Sequence, residues 1–147
     1  MIRITVEVVI HRPISEVGAF FADVQNTAQW AVGVSDIQGE NPPRVGAPVS
    51  WKQTFLGRQD TWAMVITEFE PNQTLAMKST TTAFPIMYRY TFAPVAGGTR
   101  VTAYAESEPG GFFKVAEPLV AAVAKRQLHA SLENLKDLLE AAAPVPA

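Results

Sequence analysis

The chain has 147 residues, with 12 Lys and Arg against 14 Asp and Glu, a net charge of −2 and no cysteine. That length suits one domain, which buries about 68 to 70% of its unfolded surface and folds without staples. The missing cysteines exclude disulfides, thiolate catalysis and Cys-ligated metal or iron–sulfur centres, and an acidic balance without a Lys/Arg cluster argues against nucleic acid as a partner, because phosphate neutralisation supplies most of that affinity.

The first element alternates Ile2, Ile4, Val6, Val8 and Ile10 with Arg3, Thr5 and Glu7, the period of a strand with one wet face. No basic-then-apolar signal pattern precedes it, so a cytoplasmic protein is the expectation. Pro13 stops the strand, and Val17, Phe20, Phe21 and Val24 then fall at the spacing of one buried helical face. Asn26 followed by Gln29 predicts a cap for a second short helix ending near Trp30.

Six strand-like runs follow. Val34 to Gln38 precedes a loop from Gly39 to Gly46 held by Pro42 and Pro43. Val49, Trp51 and Phe55 face one way until Leu56 and Gly57 turn the chain. Asp60 to Phe69 carries two parities, with Trp62, Met64 and Ile66 on one and Val65 and Phe69 on the other, which predicts a bulge or a doubly covered strand. Thr74 to Thr80, Ile86 to Phe92, a turn at Pro94 to Gly98, and Thr99 to Glu106 complete the set. No connection is long enough for a crossover helix, so the sheet is expected to be antiparallel.

Gly110 and Gly111 loosen the chain before a helix that opens at Pro118. Val120, Val123, Ala124, Leu128, Ser131, Leu132, Leu135 and Leu139 repeat on one side, with Lys125, Arg126, Glu133, Lys136, Asp137 and Glu140 on the other. Leu119 to Ala124 is the longest apolar stretch, at six residues far short of the about 20 that a membrane span needs. The domain is expected over residues 1–140, with 141–147 a disordered tail containing Pro144 and Pro146.

This order of parts resembles the helix-grip fold of the START-like (SRPBCC, Bet v 1-like) superfamily, and the residues resemble its polyketide cyclase/dehydrase family. The matching pieces are Pro13, Val17, Phe20 and Phe21; the spaced Asp23, Asn26 and Trp30; Gly46; "ITEFEP" from Ile66 and then Leu75; "YRYTFAPV" from Tyr88; "GGTRVT" from Gly97; and "LENLKDLLE" from Leu132. They extend over roughly residues 2–140. The resemblance implies an α+β fold: a curved antiparallel sheet of about seven strands around a long C-terminal helix, with two short helices after the first strand. It also implies a superfamily of aromatase/cyclases, lipid and quinone carriers, hormone-binding proteins and hydrolases, so the fold alone selects no activity.

Chemistry-bearing motifs are sparse. His11 and His129 belong to no ligand-spaced set, and no nucleophile elbow occurs, so neither metal, cofactor nor catalytic triad is expected. Asp23, Asp36, Asp60, Glu68 and Glu106 are the candidate acids and bases, each read first as a helix-end or solvated strand residue. One helix cannot fill the concavity of so long a sheet, and a void lined by aromatic and Met side chains suits a small apolar molecule. The expected ligand-binding set is Phe21, Trp30, Trp51, Gln53, Trp62, Met64, Met77, Tyr88, Tyr90, Val120 and Ala124; the wider aromatic set includes Phe55, Phe84, Met87 and Phe92. Gln53, Tyr88 and Tyr90 supply polar groups, and Arg89 does so only if the strand parity is reversed. Three readings stand: binding of a lipid, isoprenoid or polyketide-like aromatic; a cyclase or dehydratase acting on such a ligand, its catalytic residues not identifiable; and a module that assembles through a sheet edge or helix face, for which a homodimer is the simplest form.

Overall fold

The computed structural model describes residues 1–80, 85–108 and 112–141, the side chains of residues 112 and 113 excepted. The expectations for Phe84, for Gly110 and Gly111 and for the tail after Ala141 lie outside the described residues. Seven strands form one sheet: β1 (Ile2–Ile10), β2 (Val34–Gly39), β3 (Pro48–Phe55), β4 (Arg58–Glu70), β5 (Thr74–Ser79), β6 (Ile86–Val95) and β7 (Gly98–Ser107). The order is β1-β7-β6-β5-β4-β3-β2, and every neighbouring pair is antiparallel. The helices are α1 (Ile14–Ala22), α2 (Thr27–Trp30), α3 (Phe112–Val115) and α4 (Glu117–Ala141), with a 3₁₀ turn at Val24–Asn26.

The strict alternation of β1 buries Ile2, Ile4, Val6, Val8 and Ile10 and exposes Arg3, Thr5 and Glu7. Two bulges bend the sheet. In β4 the register slips between Ile66 and Glu68, so two residues oppose one on β5 and the inward parity moves from Trp62, Met64 and Ile66 to Phe69; this accounts for the mixed pattern of that strand. In β2 the slip lies between Ser35 and Gln38, where Asp36 takes φ 54° and turns Ile37 inward. Leu56 and Gly57, both at positive φ, make the two-residue turn that joins β3 to β4. β6 runs on through Pro94 to Val95, so the next hairpin turn is only Ala96–Gly97, tighter than the Pro94-to-Gly98 turn expected.

Helix α1 has only nine residues and no side-chain cap at its start, so its stability comes from burying Val17 and Phe21 rather than from propensity. Asn26 stands at the N-cap position of α2, as expected, but its side chain makes no capping bond. Asn26 is helical at φ −66°, and its side chain donates to Phe20 O at 3.0 Å and accepts from Gln29 at 3.0 Å. Asp23 caps the preceding 3₁₀ turn, accepting from Gln25 N at 3.1 Å.

Helix α4 buries Val120, Ser131, Leu132, Leu135 and Leu139. Its main contact with the sheet runs along β1, with lighter contact to β7, while α2 packs between it and β2. Its C-terminal end is tied to β1: Lys136 Nζ donates to Val9 O and to Glu140 Oε2, both at 2.7 Å, and Glu140 accepts from His11 N at 2.8 Å. Lys136 is therefore a strap across the helix end, not the solvent-facing charge that its place in the helical pattern predicts. The helix grips one side of the sheet and leaves the concave faces of β3 to β6 to meet it only at a distance.

Candidate functional site

The space left under that concave face is a cavity of about 120 Å³. Alternation along the strands builds its walls: Trp51, Gln53 and Phe55 from β3, Trp62 from β4, Leu75 and Met77 from β5, and Ile86, Tyr88 and Tyr90 from β6. Phe21 of α1 and Trp30 of α2 close one side; Val120, Ala124, Gln127, Leu128 and Ser131 of α4 close the other. Phe21 anchors an aromatic group, with ring centroids 5.3 Å from Trp30, 4.8 Å from Tyr90 and 5.0 Å from Phe92. Trp51 and Trp62 face each other across the β3–β4 pair at 6.3 Å.

Of the eleven residues expected at the site, the structure brings ten to this cavity and leaves out Met64. Met64 has the inward parity of Trp62, but it is 1% exposed and packs in the core beside its register partners Val49 and Ser79. Parity decides which face a side chain takes; position along the strand decides whether that face meets core or void. Arg89 points away and pairs with Glu68 at 3.0 Å, as the parity required.

The polar groups of the wall fall into two sets. The first is a closed network at the α2–β2 loop. Trp51 Nε1 donates to Gln53 Oε1 at 2.9 Å, and Gln53 Nε2 donates to Val32 O and Thr54 O, both at 3.2 Å. Gln127 Nε2 of α4 donates to the same two carbonyls at 2.9 and 3.2 Å. Ser131 Oγ accepts from Val32 N and donates to Gln127 O, each at 2.9 Å, and Asn134 donates to Trp30 O at 3.2 Å. Gln127, absent from the expected set, had a signal in the sequence: Ser131 interrupts an apolar stripe, and Gln127 stands one helical turn before it.

The second set stands outside that network. Trp30 is 3% exposed and its Nε1 has no hydrogen-bond acceptor among the described residues. Tyr88 and Tyr90, both half-buried, line the same wall. Burial pushes both tyrosines well above the ordinary range, Tyr88 additionally through Tyr90 beside it, with parallel rings 6.2 Å apart. They are therefore donors at neutral pH and poor general bases; the arrangement suits holding a carbonyl or hydroxyl, not abstracting a proton.

None of the candidate carboxylates forms an acid/base pair in the cavity. Asp23 accepts from Asn41 at 2.9 Å; Asp36 pairs with Lys52 at 3.5 Å, Asp60 with Arg58 at 3.1 Å and Glu106 with Arg3 at 3.4 Å. His11 and His129 are exposed, the latter 3.7 Å from Glu133. No group of three or more His, Asp or Glu among the described residues is placed to hold a metal, and no described helix is long and apolar enough to cross a membrane.

Residues 1–140 match the family described as polyketide cyclase / dehydrase and lipid transport. No curated protein matches the chain. Among solved structures, TTHA0849 from Thermus thermophilus is similar with a TM-score of 0.82 at 19% identity, covering 96% of this chain and 99% of that one. CV1439 from Chromobacterium violaceum gives 0.73 at 19% identity, covering 95% and 99%. Ara h 8.0201 gives 0.70 at 10% identity, covering 93% and 96%. At these identities the likeness is one of fold, the helix grip that the element order predicts.

Proposed function

The chain belongs to the polyketide cyclase/dehydrase and lipid transport family, and from that premise we propose that it binds one small apolar molecule, a lipid, isoprenoid or polyketide-like aromatic, between sheet and α4. The observation that carries this reading is the cavity itself, about 120 Å³ with aromatic and aliphatic walls. It is comparable in size with engineered apolar cavities of about 150 Å³ that take up benzene. The ten expected residues that line the cavity, from Phe21 to Ala124, are proposed as its contact surface.

Affinity for a generic apolar filler follows from area. Burying ~300 Å² of ligand surface supplies roughly 7 kcal/mol, and at least ~4 kcal/mol is lost as rigid-body freedom, which leaves millimolar binding. A physiological ligand must add specific contacts to do better. The half-buried tyrosines, protonated at neutral pH, and the absence of a paired acid and base among the described groups favour binding over proton-transfer catalysis; a cyclase or dehydratase is the second reading, one that works by shaping a reactive chain and orienting it through Tyr88 and Tyr90.

Native mass spectrometry of protein purified from its own host without detergent tests the proposal. A stoichiometric small-molecule adduct is the expected result. Only the bare chain mass, together with no saturable change in Trp fluorescence on titration with one-ring aromatics, would overturn it.

A further inference from the structure

The wall of the cavity carries an imbalance of polar groups. Gln53, Gln127, Ser131 and the Trp51 indole are all hydrogen-bonded within the protein, and Ser107 Oγ donates to Pro85 O at 2.6 Å. Trp30 Nε1 is buried without an acceptor among the described residues, and the half-buried Tyr90 and Tyr88 line the wall beside it: the Trp30 and Tyr90 ring centroids are 6.2 Å apart and edge-on, and Tyr88 stacks at 6.2 Å beyond. A buried donor left unmade costs free energy that any acceptor reaching it returns. Among the described residues the only charged one on the wall is Glu106, an acid already paired with Arg3. No described cation on the wall meets an anion, and burying an unpaired charge is heavily penalised.

Resting on the binding reading above, the geometry points to Trp30 Nε1, with Tyr90 and Tyr88 beside it, as the polar recognition point of the cavity: the ligand is uncharged, and it places a hydrogen-bond acceptor such as a ring-attached carbonyl at the Trp30 end. Trp30 is then a specificity-determining residue as well as part of the apolar wall. Its N–H is chemically suited to this because indole donates and never accepts, so it selects for the acceptor and not for hydrogen bonding in general.

Two isosteric probes test this. Acetophenone and α-methylstyrene share shape and differ in C=O against C=CH₂; benzoate adds the charge. Titrations of ¹⁵N-labelled protein follow the three Trp indole cross-peaks, with the Trp30 signal assigned through Trp30→Phe. Acetophenone is expected to move the Trp30 N–H downfield to saturation, whereas α-methylstyrene binds without that shift and benzoate does not bind. Trp30→Phe, or Tyr90→Phe if the former does not fold, should weaken acetophenone relative to α-methylstyrene by about fivefold. If both neutral probes bind and neither shifts the Trp30 N–H, the indole spends its hydrogen on the face of Tyr90 and the recognition point is overturned while the binding reading stands. Benzoate binding as tightly as acetophenone overturns the selection for an uncharged ligand. If no probe binds at all, the recognition point is overturned, and the binding reading fails with it when native mass spectrometry also shows only the bare chain.

Discussion

Val32 N donates to Ser131 Oγ at 2.9 Å across 99 positions of sequence, and this bond fastens the loop between α2 and β2 to the buried face of α4. Gly33 follows at φ 77°, where an added Cβ would lie 2.6 Å from Thr54 O. Close approach and backbone conformation both demand glycine there. Ser131→Ala removes this part-buried bond and should cost about 1 kcal/mol in urea unfolding. Gly33→Ala should also destabilise, and an unchanged midpoint for both variants would show that the loop is not held by these contacts.

The two ends of α4 should respond differently to changes in volume. Leu132 and Leu135 are 0% exposed, so Leu132→Ala and Leu135→Ala should each cost about 2 to 5 kcal/mol. Ala124 borders the cavity, and Ala124→Val adds volume to existing space, with little loss of stability and weaker binding of an apolar probe. Comparable unfolding by Ala124→Val and Leu132→Ala would mean that the helix is packed along its whole length.

Tyr88→Phe and Tyr90→Phe remove hydroxyls almost without change in volume, and so separate carrier from enzyme. In a carrier each should alter ligand affinity by ~1 kcal/mol. In an enzyme that uses either hydroxyl for proton transfer, turnover should fall by ~10² or more while affinity barely moves. Binding isotherms and turnover of the same candidate ligand, measured side by side, decide between them.

The same two tyrosines predict how stability depends on alkaline pH. Burial raises both folded-state values above the ordinary 10.0, so the unfolded chain releases these protons first. Their contribution is fully present below pH 10.0 and is lost as pH rises through and beyond it. Urea midpoints from pH 8 to about 11 should fall more steeply in the parent than in Tyr88→Phe/Tyr90→Phe; parallel curves would show that the hydroxyls reach solvent.

Much of this protein was legible in one dimension. The alternation of Ile2 to Ile10 determines a half-buried strand, because a period of two can satisfy only one wet face. The leucine stripe from Leu128 to Leu139 determines a helix covering a core, and short connections between strands determine an antiparallel sheet. Lining residues on β3 and β6, such as Trp51, Gln53, Tyr88 and Tyr90, follow from the same parity. Tertiary structure alone decided the rest. Met64 and Trp62 share a parity, yet one packs in the core and the other lines the cavity, since the depth at which a concave sheet leaves its helix is set by bulges and by which strand the helix lies against. The mixed face of β4 needed the register of β5 to show the slip after Ile66. Which polar groups close on one another was equally hidden: Gln127 and Gln53 lie 74 positions apart and meet on the same Val32 carbonyl, whereas the Trp30 indole, no different in sequence from that of Trp51, is the one without an acceptor among the described residues. Hydrogen-bond satisfaction is a property of three-dimensional neighbours, and pattern in sequence carries no record of it.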